Sequence, residues 1–318
     1  MTTKMTNRFC HGIAAGMLAM GVLLSQYAQA SLQDSSTSKF MPTDWQMGFD
    51  DAFAACADNF YQAPPLLVGE QGQRLNQQLY ALCFDGFATL YSGVSLTPFW
   101  SASHLTKQRV QTAHQLVRSD NFRPEYRLPV QAQAQLADYR RSGFDRGHVA
   151  PNGDMATTTQ QYDSFSLANI APQHTDHNRH LWRHIEIATR TLAVRYEEVY
   201  VVTGVAFLGK TSQRIGGRVM VPSHFFKAVY VPSIQQAGVY WSPNDAAGNH
   251  QVISLSKLEQ YTGIRVMPAL PPSIQTHAYA LPAPMNDKEA QAILLGKTGW
   301  LDLAWQMVQY LTKWLHQT

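Results

Sequence analysis

The chain has 318 residues, 45% of them hydrophobic, and shows no internal repeat or low-complexity tract, so it can bury one sizeable core. Its formal charge of +3 falls to +1 once Lys4 and Arg8, the charged residues of the first thirty, are removed. That balance excludes a polybasic coat. Any surface for an anionic polymer must be local, and Arg140, Arg141, Arg146, Arg179 and Arg183 form the candidate cluster.

At the N-terminus, Lys4 and Arg8 precede an apolar run from Gly12 to Leu24, and Ala28-Gln29-Ala30 offers the small residues a signal peptidase reads. The run is too short to be a confident membrane span, though a retained signal anchor is the alternative. The expected organisation is a signal peptide over 1–30, a polar, flexible lead-in over 31–44 and a single domain over 45–318. The product would be exported to the periplasm or beyond the cell. Removal of Cys10 with the signal leaves Cys56 and Cys83, an even pair in an oxidising compartment. A disulfide between them is expected, with two buried free thiols as the alternative.

Helical signals fall around 44–57, 106–117, 179–193 and 256–261. Strand signals fall at 88–91, 198–205 and 225–231, where aromatic and β-branched residues concentrate. Lys227 lies inside the last of these, either at an exposed edge position or reaching a site. Near the end, Trp300, Ala304, Met307, Val308, Leu311 and Leu315 keep helical spacing. They predict a terminal amphipathic helix for core packing, dimerisation or a membrane surface. Strands and helices mix without strict alternation, which indicates an α+β fold.

The most informative stretch is 142–155, Ser-Gly-Phe-Asp-Arg-Gly-His-Val-Ala-Pro-Asn-Gly-Asp-Met. His148 titrates near neutrality when unperturbed and can serve as a general base. Arg146 stays charged and can fork onto phosphate oxygens. Gly147 allows close backbone approach to a ligand, or a φ closed to other residues. Further on, Leu181, Trp182 and Ile185 recur at helical spacing, and Asn178 and Glu186 lie eight residues apart, roughly two turns, on one face. An amide oxygen and a carboxylate there are hard donors of the kind Mg²⁺ or Ca²⁺ accepts. The resulting picture is a loop carrying His148, set against a helix carrying Asn178 and Glu186, with one divalent metal between. No acidic cluster dense enough for two metals is evident.

The run from Asp138-Tyr139-Arg140-Arg141 through His148, then Asn169-Ile170-Ala171-Pro172-Gln173 and the Asn178…Trp182…Glu186 helix, resembles the DNA/RNA non-specific endonucleases. Downstream, the apolar run ending in Thr203-Gly204, the Val221-Pro222-Ser223-His224-Phe225-Phe226-Lys227 segment and Glu259-Gln260-Tyr261-Thr262-Gly263 are similar to later blocks of that family. The resemblance covers about 80–270. It implies a central antiparallel sheet flanked by helices, with a ββα-metal site. It also implies His148 as the base, Asn178 as the direct side-chain ligand to Mg²⁺ (Mn²⁺ as substitute), and Glu186 on metal-bound water. Arg146 would contact phosphate. Arg118 corresponds to a further phosphate-binding arginine, with Arg123 as its competitor. Val149 departs from the Gln, Leu, Ile or Met more usual after the histidine.

The implied activity is hydrolysis of DNA and RNA without strong sequence preference, leaving 5′-phosphate and 3′-hydroxyl ends. Alternatives are a narrower phosphodiesterase and a non-catalytic nucleic-acid-binding protein on the same fold. A homodimer and a protein inhibitor stay open as partners. A rival metal reading places zinc on His177, His180 and His184, spaced i, i+3 and i+7. It lacks the glutamate of a His-Glu-x-x-His helix.

Overall fold

The computed structural model describes residues 45–209 and 213–294. The expected signal peptide, the lead-in and the C-terminal amphipathic helix lie outside the described residues. In chain order the principal strands are β1 (Leu79–Phe84), β2 (Phe87–Ser92), β3 (Thr97–Thr106), β4 (Phe144–His148), β5 (Ile170–His174), β6 (Glu198–Ala206), β7 (His224–Val231), β8 (Gln236–Pro243) and β9 (Gln251–Ile253). Seven of them form one sheet in the order β9-β8-β7-β6-β3-β2-β1. Every neighbouring pair in it is antiparallel. β4 and β5 make a separate antiparallel ribbon.

The sheet is covered on both faces, so its central strands read as continuous apolar runs rather than alternating ones. Phe226, Ala228 and Tyr230 of β7 pack with Phe53, Trp100 and Trp241 on one face. Phe225, Val229 and Val231 point the other way, toward Trp182, Ile185 and Leu192. That second face carries α2 (Arg183–Tyr196), while α1 (Lys107–Ala113) packs beside α2. By alternation Lys227 also points at α2. It is fully buried, which removes the exposed-edge reading. Among the described residues no helix is long and apolar enough to cross a membrane.

Three helical expectations change in detail. The segment predicted over 44–57 forms a short strand, Gln46–Met47, and a 3-10 helix, Asp51–Asn59, whose backbone leaves helical geometry at Cys56. No side chain caps that helix at Asp50. α1 is shorter than 106–117: the Thr106 side chain accepts from Arg109 N, and regular helix ends at Ala113. The helix predicted over 256–261 is α3 (Leu255–Thr262), started by Ser254 and stopped by Gly263 in the left-handed region.

Cys56 and Cys83 are disulfide-bonded, with Cα atoms 5.7 Å apart, and tie the 3-10 helix to β1. The bond closes a 27-residue separation, for which chain-entropy arguments give roughly 3–4 kcal/mol. Cys83→Ser is therefore expected to lower unfolding free energy by about that amount in urea titration. A loss below about 1 kcal/mol would show that the unfolded chain is not the state the bond constrains.

Candidate active site

β4, β5 and the helix that follows them build the site. His148 is the last residue of β4, in register with Ile170, so it sits on a paired strand rather than the expected loop. Asn169 secures the chain beyond it. Its amide donates to Ala150 O (2.9 Å) and Ser164 O (3.0 Å), and its Oδ1 accepts from Ala150 N (2.8 Å) and Ser101 Oγ (3.0 Å). Val149 is fully buried in the core, so the departure there concerns packing alone. Gly147 is needed for a different reason from either one expected. It is not among the glycines with positive φ; instead, a Cβ there would lie 2.1 Å from Gln173 Oε1. The Gln173 side chain from β5 crosses this position.

The His148 ring stands between two aromatic walls, with Phe122 at 5.4 Å and Phe165 at 5.0 Å between centroids. Each wall carries an arginine: Arg146 lies 4.1 Å from the Phe122 centroid and Arg118 5.3 Å from that of Phe165. His148 Nε2 is shut off from solvent and has no hydrogen-bond partner among the described residues, a state that costs about 1–3 kcal/mol. Burial, and then the positive charges of Arg118 and Arg146, hold the imidazole down at about 3, against a weaker opposing pull from Asp120. The ring is thus neutral, with a nitrogen free for a proton, at any ordinary pH.

Arg118 also lowers the carboxyl of Glu186, placing one cation within electrostatic range of both groups. Both candidates have acidic partners: Arg118 Nε bonds Asp120 Oδ1 at 2.6 Å, while Arg123 bonds Tyr162 O and Asp163 Oδ1 and lies over the Tyr162 ring. The structure brings Arg118, and not Arg123, to His148.

The helix opens with a π-turn, His177–Trp182, before α2. Two α-helical turns take about 7.2 residues, and a π-bulge inserts roughly one more. The eight-residue separation of Asn178 and Glu186 then returns to the same face almost in register. Asn178 does not cap the helix. Its Nδ2 donates to Asp145 Oδ2 at 3.0 Å, and since a carboxylate only accepts, the amide oxygen is turned away from Asp145. Asp145 also accepts from Arg179 Nε and Nη2, both at 2.9 Å. Burial pushes its carboxyl up, but the hydrogen bonds from Arg179 and Asn178 prevail and hold it below the usual carboxylate range.

Glu186 makes no hydrogen bond among the described residues. Burial raises its carboxyl to about 7, against the pull of Lys227, Arg190 and Arg118, while Asp154 pushes the same way as burial. Lys227 Nζ donates to Thr203 Oγ1 (2.6 Å), and burial lowers its ammonium. Arg190 Nη1 bonds Asp154 Oδ1 at 2.8 Å. Asn178 Oδ1 and the unbonded Glu186 carboxylate are hard oxygen donors, and they fit Mg²⁺ with water completing its shell. The zinc reading fares worse. His177 is buried with both nitrogens engaged, Nδ1 with Gln173 Nε2 (2.8 Å) and Nε2 with Ser242 Oγ (3.0 Å). Among the described residues no three His, Cys, Asp or Glu side chains gather as a metal site.

Sequence reasoning missed Asp145 as the group that orients Asn178, and it left Lys227 undecided. Asp145 could have been found from its place inside the 142–155 motif. The Phe122 and Phe165 walls carry no signal, because isolated aromatics in apolar surroundings read as core.

A ββα unit presenting an imidazole, arginines and oxygen donors defines a phosphodiester-hydrolase class of site. Residues 68–273 match the family described as DNA/RNA non-specific endonuclease, and the chain belongs to that family. Nuclease C1 of Cunninghamella echinulata var. echinulata is 37% identical over 177 residues, 51% of this chain and 70% of that protein. The nuclease of Nostoc sp. strain PCC 7120 is 30% identical over 65% of this chain and 80% of its own length. Human mitochondrial nuclease EXOG is 30% identical over 60% of this chain but 57% of its own length. The crystal structure of the EndoG/EndoGI complex, which concerns the mechanism of EndoG inhibition, superposes with a TM-score of 0.55 at 25% identity. It covers 60% of this chain and 88% of that one.

Proposed function

We propose that the protein is an exported, Mg²⁺-dependent endonuclease that hydrolyses DNA and RNA with His148 as general base. The observation that carries this reading is the unpartnered His148 Nε2 between two arginine-bearing rings. Arg146 and Arg118 hold the scissile phosphate. Their charge helps to depress the imidazole, so a bound phosphate anion offsets it and raises the basicity of His148 as substrate arrives. His148 then takes the proton from the attacking water, which enters in line with the leaving 3′ oxygen. Asn178 Oδ1 would ligate Mg²⁺ and Glu186 would hold its bound water, and the metal would supply stabilisation of the developing negative charge. The products carry 5′-phosphate and 3′-hydroxyl ends. Support for export is the signal-like 1–30 segment together with the oxidised cysteine pair. The likeness to a nuclease solved with EndoGI supports a protein inhibitor as partner.

The test is incubation of the protein with supercoiled plasmid, single-stranded DNA and RNA, with Mg²⁺ and with EDTA. Cleavage of all three in Mg²⁺ alone is the expected result. Cleavage of one polymer only would favour a narrower phosphodiesterase, and binding without cleavage a nucleic-acid-binding protein.

A further inference from the structure

Charge and backbone geometry converge on the turn leading into β4. Of the five arginines in the local cluster, two are tied to acids: Arg179 to Asp145 and Arg183 to Asp287. Arg140, Arg141 and Arg146 are exposed, and none of them has an ion pair among the described residues. The acids flanking this turn in sequence are themselves occupied. Asp138 is buried, accepts from Gln135 N (2.8 Å) and lies 3.6 Å from Arg218, and Asp145 is held as described above. Positive charge on the turn is therefore uncompensated.

The turn is also anchored at both ends. Tyr139 before it is buried, with its hydroxyl toward Ile170 O (3.4 Å). After it, Ser142 Oγ accepts from Phe144 N at 3.2 Å, and Phe144 pairs with His174. Between these anchors Arg141 has φ 56°, a region that disfavours any residue with a Cβ. Arg141 is thus an exposed arginine in the left-handed region with no ion pair among the described residues.

We propose that Arg140 and Arg141 form a phosphate-binding track for nucleic acid beyond the scissile diester. The proposal rests on the nuclease reading and extends it to how the enzyme grips a long polymer. From Arg141 to Arg146 the chain spans at most about 17 Å, and a nucleic-acid strand rises about 3.4 Å per nucleotide. That upper bound places the track against phosphates within about five nucleotides of the cut.

The experiment measures binding of a fluorescent duplex of about 20 base pairs in EDTA across a KCl series, for wild type and Arg140→Ala/Arg141→Gly. Expected are roughly ten-fold weaker binding at low salt and a log–log salt slope shallower by about 1.8, near 0.9 for each phosphate that an arginine no longer neutralises. Cleavage of a nitrophenyl thymidine diester in Mg²⁺ should match wild type. Glycine relieves the left-handed backbone at 141, so a melting temperature at or above wild type separates impaired binding from impaired folding. Unchanged duplex affinity and slope would overturn the track, as expected if an acidic protein is the true partner. An equal loss of diester cleavage would also overturn it, by placing the pair in the catalytic site. If wild type bound duplex and cut neither substrate, the nuclease reading would fall while a weakened, flatter-sloped variant still supported the track.

Discussion

His148→Ala is expected to lower turnover on plasmid DNA by about 10²–10⁴-fold, the usual contribution of a positioned general base, with duplex affinity in EDTA little changed. The ring is held by packing against Phe122 and Phe165 and its Nε2 has no hydrogen bond, so removal deletes the base without unpairing another polar group. The pH profile adds a second discriminator. In the free enzyme His148 is depressed to about 3, so it stays neutral well below neutral pH and does not set the acid limb of kcat/KM, which reports free-enzyme groups. Glu186 is raised to about 7, so its carboxylate form is lost as pH falls through neutrality. Hydrated metal held by that carboxylate competes with its proton, and the acid limb should move to lower pH as Mg²⁺ is raised. Glu186→Gln should abolish that movement. Near-wild-type turnover in His148→Ala would sink the base assignment, and an acid limb indifferent to Mg²⁺ would sink the role of Glu186.

The elements legible in the sequence are those whose burial pattern is simple. β2, β6 and β7 are covered on both faces and show as apolar and β-branched runs, and the π-turn with α2 shows through the periodic Trp182 and Ile185. β3 was not legible because Ser101 and Ser103 interrupt its apolar character. Both are nevertheless buried, and Ser101 bonds Thr89 and Asn169, which a linear pattern does not reveal. The β4–β5 ribbon was hidden for a similar reason, since its residues are dictated by the site rather than by strand preference. In the site, residue types carry the chemistry and were readable. What was not readable is how they are held: the π-turn that aligns Asn178 with Glu186, and the carboxylate that turns the amide. Both depend on a bond between residues 33 apart in sequence or on helix geometry that composition does not encode.

Asn178→Ala is expected to cut activity at fixed Mg²⁺ by at least about 100-fold, and Asp145→Ala by about 10–100-fold, the range typical of groups that orient a metal ligand. The two losses differ in kind. Removing Asn178 deletes the donor oxygen, so excess Mg²⁺ should recover little. Removing Asp145 leaves the donor but frees its rotamer, since the bond from Asn178 Nδ2 is gone, so raising Mg²⁺ or supplying Mn²⁺ should restore most of the loss. Asp145→Ala also releases Arg179, but that side chain is largely exposed, and Arg179→Ala serves as the control for its loss. Activity measured across a Mg²⁺ titration for the three variants separates these effects. Equal, unrescued losses in Asn178→Ala and Asp145→Ala would mean that Asp145 does more than orient the amide. Full activity in Asn178→Ala would remove the amide from the metal site and leave Glu186 as its surviving candidate.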